Sequence, residues 1–135
     1  MATSNVTYTA NLRTKATHYL SGNTIITDAP PDNKGKGEAF SPTDLLATSL
    51  ACCMLTIMGI SARAHDFNID GTSAEVTKIM YGEPRRVGEV HIELSFPHNR
   101  YSEKQRKIIE KAAFTCPVSQ SLHPDLKQEI KFLFP

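Results

Sequence analysis

The residues best equipped for chemistry in this chain are its three cysteines. Cys52 and Cys53 are neighbours in the uncharged run SLACCML, and Cys116 lies far along the chain in FTCPVSQSL. A cysteine can be core filler, metal ligand, disulfide partner or nucleophile. Only the thiolate is reactive, so the surroundings decide. Cys116 precedes Pro117, and the residue just before a helical proline takes the N-cap position. There it meets unpaired backbone amides and the positive end of the helix dipole. Two roles stay open for Cys116. It is either a thiolate favoured by that end or a small apolar side chain packed at a helix junction.

Cys52 and Cys53 fall in the middle of an apolar helix, away from both dipole ends. Neighbours on a helix point about 100° apart, so at most one of the two can face a given cleft. They are also badly placed to bond each other. Core packing suits both, because free cysteine is among the most buried residue types. A closed metal site needs four ligands, commonly at CxxC or HxxxH spacing. No histidine lies close in sequence to Cys52 and Cys53, and His123 stands near Cys116 alone. No metal is therefore expected. What remains is a long-range pair, one of Cys52 and Cys53 with Cys116. A peroxide-reducing protein needs such an attacking thiolate and resolving thiol.

The elements that must position these thiols can be read in outline. Residues 4–28 are strand-rich, with a turn signal at Ser21-Gly22-Asn23. Residues 29–40 are a proline- and glycine-bearing loop. Ser41 caps a helix with Pro42 in its first position and Asp44 three residues after the cap. This helix is expected to run to about Ala64. It is apolar almost all round, which predicts a central, buried element. Residues 72–82 and 88–96 read as an antiparallel hairpin. Its second strand turns Val90, Ile92, Leu94 and Phe96 to one side. Ser102 and Gln105 form the capping box of a second helix, whose apolar stripe is Ile108, Ile109, Ala112 and Ala113. Thr115-Cys116-Pro117 interrupts it, a short helix follows to about Leu122, and residues 128–134 make a last strand. The order of elements predicts a single α+β domain over residues 1–135.

Composition agrees with a globular chain: 135 residues, 40% hydrophobic and 21% charged. Net charge is +1 and the Lys and Arg residues are scattered. That argues against a nucleic-acid surface, which needs them clustered. The uncharged run 45–62 reaches the length of a membrane span. Thr48, Ser49, Thr56, Gly59 and Ser61 dilute it, so a buried helix is the simpler expectation and no membrane is invoked. No apolar leader follows Met1. The cysteines are therefore expected as cytoplasmic thiols, and the Asn5-Val6-Thr7 glycosylation pattern as chance.

The segment SPTDLLATSLACCMLTIMG, followed by FTCPVSQSL, resembles the OsmC/Ohr family of osmotically inducible and organic hydroperoxide resistance proteins. The chain is most similar to the OsmC-like branch, and the likeness extends over nearly its whole length. The resemblance implies antiparallel sheets wrapped around a long buried central helix, in an intertwined homodimer with active sites at the dimer interface. It implies a thiol-dependent peroxidase that reduces an organic hydroperoxide. An external dithiol or reductase would restore the thiols, without metal, flavin or other cofactor.

Laying Pro42 on the family's proline puts the peroxide-attacking cysteine on Cys53. It puts the resolving cysteine on Cys116 and leaves Cys52 at a small-residue position. Thr43 stands where the family's peroxidases carry a Glu that orients an arginine over the thiolate. Asp44, next along, is assigned to helix capping. Arg13 is the only arginine before the helix and so the candidate for that role. A gapless alignment of the YTA stretch puts His18 there instead. Leu50 and Ile57 are expected to offer an apolar wall to the hydroperoxide's tail. Two rival readings stand beside the peroxidase. One is an OsmC-like protein without efficient turnover that binds a small apolar or thiol-reactive ligand at the dimer interface, which Thr43 favours. The other is a redox-responsive dimer whose thiols oxidise without catalytic flux.

Overall fold

β-Branched stretches and a tight turn build the first part of the chain. The computed structural model describes residues 1–135 and divides into two compact units, Met1–Leu46 and Ala47–Pro135. In the first unit, strands β1 (Ser4–Ala10), β2 (Arg13–His18) and β3 (Thr24–Asp28) form an antiparallel sheet in that order. The β1–β2 turn takes Ala10, Asn11 and Leu12 through positive φ (82°, 56° and 61°). The β2–β3 register sets Arg13 opposite Asp28. The loop after β3 folds closely on itself. A side chain at position 35 would run into the Ala29 carbonyl oxygen, 1.7 Å from an ideal Cβ, so only glycine fits there.

Helix α1 (Pro42–Ala64) begins as its sequence predicts. The Ser41 hydroxyl accepts from the Asp44 amide at 3.0 Å, and the Asp44 carboxylate accepts from the Ser41 amide at 3.0 Å. This reciprocal cap satisfies two of the amides that a helix start leaves unpaired.

In the second unit, β4 (Ser73–Tyr81) and β5 (Arg86–Ser95) form the expected antiparallel hairpin. Helix α2 (Glu103–Ala113) starts at the Ser102–Gln105 capping box, and α3 (Pro117–Ser121) follows with Cys116 as its N-cap. Strand β6 (Lys127–Leu133) closes the sheet in the order β4-β5-β6. Here the structure departs from the expected antiparallel sheets, because β6 runs parallel to β5. The two helices between them carry the chain back to the starting end of the sheet, and a crossover of that kind delivers a parallel neighbour.

Alternation along β5 turns Val90, Ile92 and Leu94 inward, each essentially buried. Against them pack Leu50, Met54 and Met58 of α1, and Ile109, Ala112 and Ala113 of α2. The buried residues of α1 are Ala47, Leu50, Ala51, Met54, Met58 and Ala62, a stripe at helical spacing. The helix was expected to be buried almost all round. Only that stripe is fully buried, 33% of the helix's most apolar window; Cys53, Leu55 and Ile57 are half-buried beside it, and Ile60 on the open side is 60% exposed. The sheet and α2 pack against one side of a cylinder, so the Ala47–Pro135 unit by itself leaves the other side uncovered. By length and composition α1 could also cross a membrane, but its stripe is spent on the core.

Each large side chain in this core contributes roughly 1.5–3 kcal/mol through the water it sheds. Leu50 is fully buried among the helix and sheet residues. Leu50→Ala is therefore expected to cost about 2–5 kcal/mol in urea unfolding, because the rigid sheet below cannot collapse into the gap.

Candidate functional site

The three cysteines are free thiols with three different exposures: Cys52 exposed, Cys53 intermediate and Cys116 buried. Helix geometry separates the neighbours as expected. Cys52 points away from the core, and its carbonyl accepts from the Thr56 hydroxyl at 2.8 Å. Cys53 packs against the core cluster. Cys116 closes the α2–α3 junction and belongs to the core cluster against which Cys53 packs, near enough for the two thiols to act on each other's ionisation. The structure thus brings Cys53 and Cys116 together and leaves Cys52 out.

Cys116 has the extended backbone of an N-cap (φ −70°, ψ 139°), and its Sγ accepts from the Ser119 amide at 3.3 Å. The expected contact with the helix end is therefore present. The expected drop in its pKa is not. Burial pushes the Cys116 thiol above the ordinary thiol range, and the Ser119 amide offsets this only in part. The adjacent Cys53 pushes it the same way as burial. Of the two roles left open for Cys116, the one realised is the packed side chain at a helix junction, and its Sγ caps α3 from that position.

Arg13 belongs to the Met1–Leu46 unit. Its guanidinium grips Asp28 with two parallel bonds, Nε to Oδ1 and Nη2 to Oδ2, both 2.8 Å. Nη2 also reaches Glu38 Oε1 at 3.0 Å. Asp28 accepts a further bond from the Glu38 amide at 2.9 Å and is only 2% exposed. The guanidinium, above all, pulls the Asp28 carboxyl from its ordinary 3.8 down to about 2, against the effect of burial. The same pairing raises Arg13 further beyond its ordinary range. Arg13 is thus a fixed cation with a defined plane, held by carboxylates that the sequence did not single out.

The other residues considered in its place have local duties. His18 Nδ1 lies 2.6 Å from the Ser21 hydroxyl in the β2–β3 turn. The Thr43 hydroxyl lies 3.2 Å from that of Ser41 within the helix cap, and Asp44 caps as described. Leu50 is wholly buried and cannot line an open pocket, which corrects its expected role as an apolar wall. Ile57 is half-buried on the Cys53 side of α1.

No cluster of three or more His, Cys, Asp or Glu residues is arranged to hold a metal ion. Cys116 is surrounded by the Cys53 thiol, the Ser119 backbone amide and the apolar core. Such a pair can be oxidised, can form a disulfide, and can be restored by thiol exchange. Four residues were missed by sequence reasoning: Asp28, Glu38, Ser119 and Gln128. Only Asp28 had a local signal, a lone acid ending a strand of β-branched residues.

Comparison with known proteins places this geometry. The sequence model of OsmC-like proteins matches residues 35–131. A crystal structure from Psychrobacter arcticus 273-4, of a protein provisionally named for osmotic stress induction and detoxification response, is 59% identical. It matches with a TM-score of 0.94 over 98% of this chain and 96% of that one. An OsmC like protein from Mycoplasma pneumoniae shares the fold at 21% identity and a TM-score of 0.80, over 97% and 94% of the two chains. An organic hydroperoxide resistance protein OsmC from Legionella pneumophila does so at 15% identity and a TM-score of 0.75, over 98% of each chain. No curated protein sequence matches the chain.

The Arg13–Asp28 pair makes a pH prediction. The folded pKa of Asp28 is depressed, so its contribution to stability is complete above its ordinary 3.8 and is lost as pH falls toward about 2. Asp28→Asn should flatten the fall of urea-unfolding stability across that window. An unchanged slope would mean that the pair does not hold the β2–β3 end.

Proposed function

The chain belongs to the OsmC-like protein family, and from that membership together with the thiol geometry we propose that it is a thiol-dependent peroxidase acting on organic hydroperoxides. The observation that carries the reading is the proximity of the half-buried Cys53 to the buried Cys116 in one core cluster. Cys53 is the more accessible of the pair and meets a dissolved oxidant first. Its thiolate attacks the distal peroxide oxygen. The O–O bond breaks, an alcohol leaves with a proton, and Cys53 becomes a sulfenic acid. The Cys116 thiol then attacks the Cys53 sulfur, expelling water and forming the disulfide. An external dithiol reduces that disulfide by exchange and returns both thiols. No metal or organic cofactor enters the cycle.

In this reading Arg13 is the cation that favours the Cys53 thiolate. Asp28 takes over the orienting task that Thr43 cannot perform. The working form is a homodimer in the cytoplasm, with a second copy covering the open side of α1. Exposed Ile60 on that side, and exposed Phe114 and Leu133 elsewhere in the same unit, support an apolar partner. Thr43 also supports a second reading, a family member that binds a thiol-reactive ligand without efficient turnover.

The test is dithiol-dependent consumption of cumene hydroperoxide. Cys53→Ser should lower the rate by at least ~10³-fold, since it removes the nucleophile. Cys116→Ser should give one turnover and then a sulfenic acid that dimedone traps. Cys52→Ser should stay within about twofold of wild type, because Cys52 faces away from the pair. Full activity in Cys53→Ser would overturn the proposal. No turnover by the wild type with any dithiol would favour the second reading, and a mapped Cys53–Cys116 disulfide without turnover would favour a redox-responsive dimer.

A further inference from the structure

The inner face of β6 is formed by Gln128, Ile130 and Phe132, while Lys127, Glu129, Lys131 and Leu133 are exposed. A half-buried polar side chain in such a row needs a partner, since an amide drawn out of water without one is destabilising. Gln128 finds it in one residue. Its Oε1 accepts from the Ser119 hydroxyl at 2.6 Å, and its Nε2 donates to the Ser119 carbonyl at 3.3 Å. Both ends of the amide are thus spent on Ser119, the residue whose own amide donates to Cys116 Sγ. Helix α3 has only five residues. So short a helix is not stable by itself and takes its position from what holds it.

We propose that Gln128 is a positioning residue for the buried thiol: it clamps Ser119 so that the Ser119 amide points at Cys116 Sγ and Cys116 stays in register with Cys53. The inference deepens the peroxidase reading and rests on it for the step that Cys116 performs. In that step Cys116 gives up its proton, its sulfur bonds to the Cys53 sulfur, and the sulfenic oxygen leaves as water. The amide is the donor that meets the developing charge on Cys116 in an otherwise apolar setting. Without the clamp, the amide no longer points at that sulfur.

Two measurements test this. In a Cys52→Ser, Cys53→Ser background, Cys116 is the only thiol, and its ¹³Cβ chemical shift reports its titration. Gln128→Leu and Ser119→Ala should each move that titration upward by about one pH unit, a tenfold change in equilibrium. Ser119→Thr keeps the hydroxyl and should titrate as the parent does. In the protein with all three cysteines, Gln128→Leu should slow disulfide formation about tenfold after a single peroxide addition. The first step, sulfenic acid formation at Cys53, should keep its rate.

An unmoved titration together with an unmoved resolving step overturns the proposal. If Gln128→Leu does not fold, Ser119→Ala against Ser119→Thr decides the matter. A titration that shifts in a protein without peroxide turnover sustains the positioning role and overturns the peroxidase reading. Turnover with an unmoved titration and unmoved resolution does the reverse.

Discussion

The contact on which the site depends is the packing of the α1 stripe on the inner face of β5. Leu50, Met54 and Met58 meet Val90, Ile92 and Leu94 there. The rotation of the helix is thereby fixed, since any turn about its axis would lift a wholly buried side chain into water. Once the stripe is set, the two neighbouring cysteines have no choice. At about 100° per residue they leave the stripe on opposite flanks. Only the Cys53 flank is met by Cys116. The difference between two identical side chains is therefore made by hydrophobic burial rather than by anything local to sulfur.

At Cys116 two effects of opposite sign meet. The first amides of α3 favour a thiolate, and the apolar surroundings disfavour it. Burial wins, because one amide at 3.3 Å is a weak donor to sulfur, while removal from water acts on the whole charge. In the proposed cycle this ordering is useful. A resolving thiol that stays protonated does not compete with Cys53 for the oxidant. It is needed only once Cys53 carries an electrophilic sulfur.

Legibility followed the range of the interaction. The Ser41–Asp44 and Ser102–Gln105 boxes were readable because all their atoms lie within one helical turn. The β4–β5 hairpin was readable because its strands alternate and follow each other across a short turn, and the break at Cys116-Pro117 because a proline restricts the residue before it. The parallel course of β6 was not, because strand direction is set by where a long crossover lands. Nor was the open side of α1, since periodicity shows which residues want cover and not how much cover the chain supplies. The resemblance picked Cys53 over Cys52, and the structure shows Cys53 packed against the cluster that holds Cys116 and Cys52 exposed. Nothing local could have paired Ser119 with Gln128, on a helix and a strand that meet only in the folded unit.

The same distinction applies to the carboxylate that was expected at position 43, where the chain has Thr43. An arginine offers a flat, forked donor, and a carboxylate that grips both prongs fixes its plane. Sequence reasoning sought that carboxylate on the helix, one residue after Pro42. The chain supplies it from the sheet, where the β2–β3 register alone puts Asp28 opposite Arg13. A cross-strand pair cannot slip without turning every side chain of β3 to the other face. The anchor is therefore as secure as the strand pairing. It is also nearly buried, so salt screens it less than an exposed helix carboxylate. Glu38 then adds a second carboxylate from the loop, at the exposed side of the guanidinium. The Met1–Leu46 unit thus holds its own oriented arginine without any glutamate at position 43.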